Sequence, residues 1–151
     1  MTVPVTVESI RLRLLLIGPV RLVLGLVFLG AARAAGGAPG PTLIAFGAAT
    51  FAMVFFLSND PRARFLRTAG EPTELPVDAT VAPAWLHAFH AALPSTVGVT
   101  LLAALTLPFN QTLTALLAGI LAGLGGAALY AAYGMDPRLY LDPRQRVVFR
   151  K

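Results

Sequence analysis

Arg21 stands where a charge is costly. It follows Pro19 inside an apolar run that extends from Leu14 to Ala35, and an ionisable side chain in such a run is by default a candidate for ligand binding or ion pairing. Gly18, Gly25 and Ala32 recur every seven residues, and Arg21 falls on their face. Small residues at that spacing let helix backbones approach closely in lipid, so Arg21 is expected to point towards other helices. Asp60 and Asp136, which end the second and fourth apolar runs, are its expected ion-pair partners. The competing reading is a guanidinium that snorkels to the nearer headgroups.

His87 and His90 share a helix face at i, i+3 spacing. Two imidazoles could serve a metal or a tetrapyrrole, but a site needs further ligands, and no apolar run offers Asp, Glu or Cys. Neither a metal nor a cofactor is therefore expected. Trp85 beside them suits an interfacial belt. Pro94 cannot donate to the carbonyl of His90 and bends the helix. The hydroxyls of Ser95, Thr96 and Thr100 that follow could satisfy freed backbone groups. Gly119, Gly123 and Gly126, with Ala122 and Gly125, make a small-residue surface that includes a GxxxG pattern, a signal for tight helix contact. Tyr130 continues that face.

The catalytic inventory is otherwise empty. There is no Cys, which excludes disulfides, thiolate catalysis and iron–sulfur clusters. No phosphate-binding Gly-Lys loop, HExxH or GxSxG occurs. No apolar run holds a carboxylate, which disfavours a proton- or sodium-coupled carrier. The chain reads as non-enzymatic.

The elements that must position these residues follow from composition. Of 151 residues, 56% are hydrophobic and 13% charged, against roughly a quarter charged in soluble domains. Four apolar segments emerge: 14–35, 41–57, 84–107 and 111–133. Each reaches the roughly 17–25 residues that span a hydrocarbon core. No Asp, Glu, Lys, Arg or His occurs from Ala91 to Met135. Backbone groups in lipid need internal partners, so the spans are expected to be helical. The reading is an all-α membrane protein of four transmembrane helices in one domain, arranged as two antiparallel hairpins.

Gly36, Gly37, Pro39, Gly40 and Pro41 read as one tight turn, and Pro108, Phe109 and Asn110 as another; only Arg33 is charged on that side. The other side holds Arg11, Arg13, Arg62, Arg64, Arg67, Arg138, Arg144, Arg146, Arg150 and Lys151. The positive-inside rule then puts both termini and the loop 58–83 in the cytoplasm, with the chain in the inner membrane. The net charge of +5 comes from arginines beside apolar runs, which favours lipid headgroups over nucleic acid. Arg11 and Arg13, the following apolar stretch and Ala32-Arg33-Ala34 also imitate a secretory signal. The segment exceeds an h-region of about 7–15 residues and contains Arg21, so it reads as a retained span.

The halves echo each other. Pro19 precedes Asn59-Asp60-Pro61-Arg62, and Pro94 precedes Met135-Asp136-Pro137-Arg138; the proline-to-proline distances are 42 and 43 residues. A parallel internal repeat would have this form, although Asp-Pro is a common helix-ending pair. The loop 58–83, with four prolines, reads as irregular. In the tail 134–151, Leu139–Leu141 and Arg146–Phe149 flank Asp142-Pro143-Arg144-Gln145, which suits a type I turn in a β-hairpin. Such a hairpin needs the membrane surface, the loop or a partner to hold it.

These features favour a small accessory, assembly or scaffolding subunit, or a homo-oligomer. It would bind other membrane helices through Gly/Ala faces and a cytoplasmic partner through its basic tail. The alternative is a small transporter or channel for an anionic or small neutral solute, with Arg21 in the pathway.

Overall fold

A computed structural model describes residues 5–60, 73–74, 84–135, 138–142 and 147–150; within these, nothing is said of the side chains of 5, 6, 9, 73, 74, 84–92, 139–142 and 147–150. It contains helices α1 (Val7–Ala34), α2 (Pro39–Asn59), α3 (Ala84–Thr106) and α4 (Gln111–Tyr133). Short strands β1 (Val5–Thr6), β2 (Thr73–Glu74), β3 (Leu139–Asp142) and β4 (Val147–Arg150) accompany them. Three helices are long and apolar enough to cross a membrane: Ile10–Ala34, Pro39–Asn59 and Gln111–Tyr133. In α3, Leu93–Thr106 forms a shorter apolar stretch.

The helix ends follow from local chemistry. Gly36, at φ 93°, takes the left-handed conformation that glycine adopts without a Cβ penalty. The Gly37 N–H donates to the Ala32 carbonyl (2.9 Å) and that of Gly36 to Arg33 (3.2 Å), the paired bonds of a Schellman ending. Arg33 Nη1 donates to the Gly37 carbonyl and holds the turn closed. Pro39 and Pro41 lie in the first turn of α2, after an extended Ala38. The expected turn at Gly36–Pro41 is thus shorter, because proline is preorganised for the first helical position. Asn110 caps α4: its side chain accepts from the Leu113 N–H at 3.0 Å, an orphan donor that an N-cap is suited to satisfy.

α4 is the central helix. It packs along α1 on one side and α2 on the other, while α1 and α2 touch each other little. α3 lies against α4 and α1 and barely meets α2. The two halves of the chain are therefore not packing equivalents, since α1 rests on α4 but α2 does not rest on α3. Burial follows the same order: 56% of the α4 window is buried, against 17% in α1 and 6% in α2. Leu16, Ile44, Phe51 and Phe56 are each at least 70% exposed. Apolar surface this continuous marks a membrane-facing exterior rather than a water-facing one.

The strands gather the ends of the bundle. They form one sheet in the order β1-β3-β4-β2. β3 and β4 pair antiparallel from Leu139↔Arg150 to Asp142↔Val147. β1 adds to β3 antiparallel, and β2 adds to β4 in parallel. The segments before α1, between α2 and α3, and after α4 therefore meet at one end. β2 gives the loop 58–83 an ordered element where none was expected. The turn residues Pro143–Arg146 lie outside the described residues.

Candidate functional site

The small residues decide how α4 holds its neighbours. One residue per 100° of helix places Ala118, Ala122 and Gly125 on a face adjacent to that of Gly119, Gly123 and Gly126. The first face meets α1. A Cβ on Gly125 would lie 2.5 Å from the Gly18 carbonyl oxygen, and one on Gly25 would lie 2.6 Å from that of Ala118. The second face meets α2. A Cβ on Gly123 would lie 2.5 Å from Met53 Cβ, and one on Gly119 would strike the Phe46 carbonyl. Such approaches exclude any side chain larger than hydrogen. Gly126 is less confined, with Val54 Cγ2 at 3.3 Å. Thr50 adds a cross-helix bond, its Oγ1 donating to the Gly119 carbonyl at 3.2 Å and to Phe46 within its own helix at 2.8 Å.

Arg21 lies close to the middle of α1. It is eleven residues from Ile10 and thirteen from Ala34, about 16 and about 20 Å along the axis at roughly 1.5 Å per residue. The flanking contacts of Gly18 with Leu129 and Gly25 with Ala122 put it level with the middle of α4 as well. The side chain is only 7% exposed. Its Nε donates to Thr96 Oγ1 at 2.7 Å and its Nη2 to Ser95 Oγ at 2.9 Å. Thr96 is itself 8% exposed. The guanidinium is thus turned into the bundle and bonded to α3. Its fork geometry engages two hydroxyls at once, which a lysine ammonium cannot match.

Pro94 begins this arrangement. The amide it lacks frees the His90 carbonyl, and Ser95 and Thr96 follow directly. Thr100 continues the face, donating from Oγ1 to the Thr96 carbonyl at 2.7 Å. At the far end of α3, Thr106 and Thr114 share a hydroxyl–hydroxyl bond of 2.9 Å. Among the described residues α3 is therefore fastened to the rest by polar bonds at two levels, whereas α1 meets α4 through glycine contacts and α2 meets it through glycine contacts and the Thr50 bond.

The remaining candidates are placed as follows. Asp60 ends α2, its backbone N–H donating to the Leu57 carbonyl at 3.3 Å. Asp136 lies outside the described residues. His87 and His90 lie in α3, but their side chains and that of Trp85 are outside the described residues. Among the described residues, no three His, Cys, Asp or Glu side chains stand together as a metal cluster would require. The hydroxyls facing Arg21 were not expected as its partners, although one signal for them exists. Arg21 and Thr96 each lie two residues after the early proline of their half.

No protein-family model matches the chain, and neither a curated protein nor a solved structure is significantly similar to it.

Proposed function

We propose that the chain is a small, non-enzymatic membrane subunit that crosses the cytoplasmic membrane four times, with both termini inside. It serves assembly or scaffolding, alone as an oligomer or within a larger complex. The observation that carries this reading is the glycine-to-backbone contact of α4 with α1 and α2. Such packing brings backbone against backbone at these glycines and closes α4 onto α1 and α2 there. With Gly18, Gly25, Gly119 and Gly123 engaged within the chain, the surfaces left for other membrane segments are the outer faces of α1, α2 and α3. Ten of the twelve basic residues fall in sequence before residue 14, between 58 and 83 or after 134, which supports the cytoplasmic orientation and a partner there.

A tagged chain extracted in mild detergent is expected to elute with further membrane polypeptides or further copies of itself. Proteoliposomes containing it are expected to pass anions no faster than protein-free vesicles. A monomer that conducts a saturable flux would overturn the proposal.

One observation favours a second reading. A guanidinium near mid-membrane, bonded to two hydroxyls on a proline-containing helix, has the elements of an anion path. On that reading the flux exists and Arg21→Leu abolishes it.

A further inference from the structure

The end of α1 carries a second pattern on top of its packing face. Arg11, Arg13 and Arg21 precede the apolar stretch Leu22–Leu29, which is followed by Gly30 and then by Ala32-Arg33-Ala34. Basic residues, an apolar stretch of about 7–15 residues and two small residues separated by one make up a signal-peptidase substrate. The small residues stand two apart because alternate side chains of an extended strand point the same way, so both enter the enzyme's pockets together. In the folded chain Gly30 serves no helix contact, since nothing lies within 4 Å of an added Cβ there.

Folding closes this site. α1 stays helical through Ala34, so the side chains of Ala32 and Ala34 point about 200° apart, at about 100° per residue. Ala32 is fully buried. It continues the seven-residue spacing of Gly18 and Gly25, the face that meets α4. The Gly37 N–H donates to the Ala32 carbonyl at 2.9 Å. A Cβ on Gly37 would lie 2.7 Å from that oxygen, 2.8 Å from Thr42 Cγ2 and 3.0 Å from Gln111 Cβ, so the starts of α2 and α4 press the turn onto Ala32. The Ala35 N–H donates to the Ala31 carbonyl at 2.8 Å and keeps the Ala34–Ala35 peptide in the helical ending. Ala34 and Ala35 are themselves exposed. What the fold withholds is Ala32, and it does so through tertiary contacts.

We propose that the Ala34–Ala35 bond is a latent signal-peptidase site, closed when α1 docks on α4 and open in chains that fail to assemble. Hydrolysis adds water across the amide, leaves a carboxylate on Ala34 and an ammonium on Ala35, and severs α1 from the other helices. One alanine serves both packing and cleavage, so the two exclude each other. The inference rests on the reading given above that the turn at Gly36 faces the outer side of the membrane.

A graded series at Gly125 tests this. A Cβ there would lie 2.5 Å from the Gly18 carbonyl oxygen, so larger side chains loosen α1 from α4 while residues 1–40 stay unchanged. Full chains carrying Gly125→Ala, Gly125→Val or Gly125→Leu are incubated in detergent micelles with a purified bacterial signal peptidase, and the products are sequenced from the N-terminus. Wild type is expected to stay largely intact. Cutting before Ala35 should rise along the series, by about fivefold to a hundredfold at Gly125→Leu. Cutting follows the population of the open form when opening is fast, and overpacking shifts that population by a factor of this order. Adding Ala34→Leu, at an exposed position, should abolish the cut in Gly125→Leu. Cutting that does not depend on residue 125, cutting that survives Ala34→Leu, or a fully processed wild type would overturn the proposal. Expression of the same variants in cells separates the site from the orientation. A product in micelles with none in cells would mean that the turn faces the cytoplasm, and the proposal would fall with that reading.

Discussion

Replacing Arg21 by leucine sets two large effects against each other, and they act on different steps. At the centre of a span, arginine disfavours insertion by roughly 2.5–3.5 kcal/mol while leucine favours it by about 0.3–0.6 kcal/mol. Arg21→Leu therefore eases insertion of α1 by about 3 kcal/mol. Once the helices are inserted, the variant lacks the bonds to Thr96 and Ser95, at 2.7 and 2.9 Å. Side-chain hydrogen bonds between membrane helices average about 0.6 kcal/mol and reach about 1.7, so the pair contributes roughly 1–3 kcal/mol to the docking of α3. Unfolding from mixed micelles by added dodecyl sulfate compares two states in which α1 remains in an apolar phase, so the insertion term largely cancels. Arg21→Leu is expected to destabilise by about 1–3 kcal/mol in that assay. In a double-mutant cycle with Thr96→Val, the coupling should be near 1 kcal/mol. Arg21→Lys should keep only part of the stability, since an ammonium does not reproduce the fork. A coupling below about 0.3 kcal/mol, the usual error of additivity, would show that the Arg21–Thr96 bond does not fasten α3.

Three further outcomes follow from the packing. Gly119→Leu should destabilise the α2–α4 contact by about 1–3 kcal/mol, the usual cost of overpacking, whereas Gly47→Leu, with nothing within 4 Å of an added Cβ, should stay within about 0.5 kcal/mol. The same micellar titration measures both. Asn110→Ala removes the α4 cap and should lower stability by about 1 kcal/mol, with faster amide exchange confined to Thr112–Thr114. Thr114→Val breaks the bond to Thr106 and should cost about 0.6 kcal/mol, and the double variant with Thr106→Val should cost little more.

The apolar segments were legible because lipid imposes a length and forbids unsatisfied backbone, and both constraints are visible in a linear sequence. The glycine faces were legible as contact surfaces, since Gly119, Gly123, Gly18 and Gly25 have no other use at that spacing. Which helix sits at the centre was not. In water the apolar stripe of a helix points inwards, but every helix here is apolar all round, so only the density of small residues in α4 hints at its place. The helix start at Pro39 was obscured by the Gly-Pro cluster, where the same residues suit a turn or a first helical turn. The bonds of Arg21 to Ser95 and Thr96 were hidden for a related reason. Hydroxyls after a proline have a local use within their own helix, as Thr100 demonstrates by donating to the Thr96 carbonyl. The strands β1 and β2, two residues each, carry too little pattern to register.

The account stands on α1–α2 and α3–α4 being membrane-crossing hairpins with the sheet on the cytoplasmic side. The chain lacks cysteine, so single cysteines can be placed without background. Gly36 and Phe109 are exposed in the two inter-helix turns, Asn59 lies at the opposite end, and Lys151 closes the tail. In intact cells an impermeant maleimide should label Gly36→Cys and Phe109→Cys, and should reach Asn59→Cys and Lys151→Cys only after lysis. Labelling of Lys151→Cys from outside, or of only one of the two turns, would contradict it.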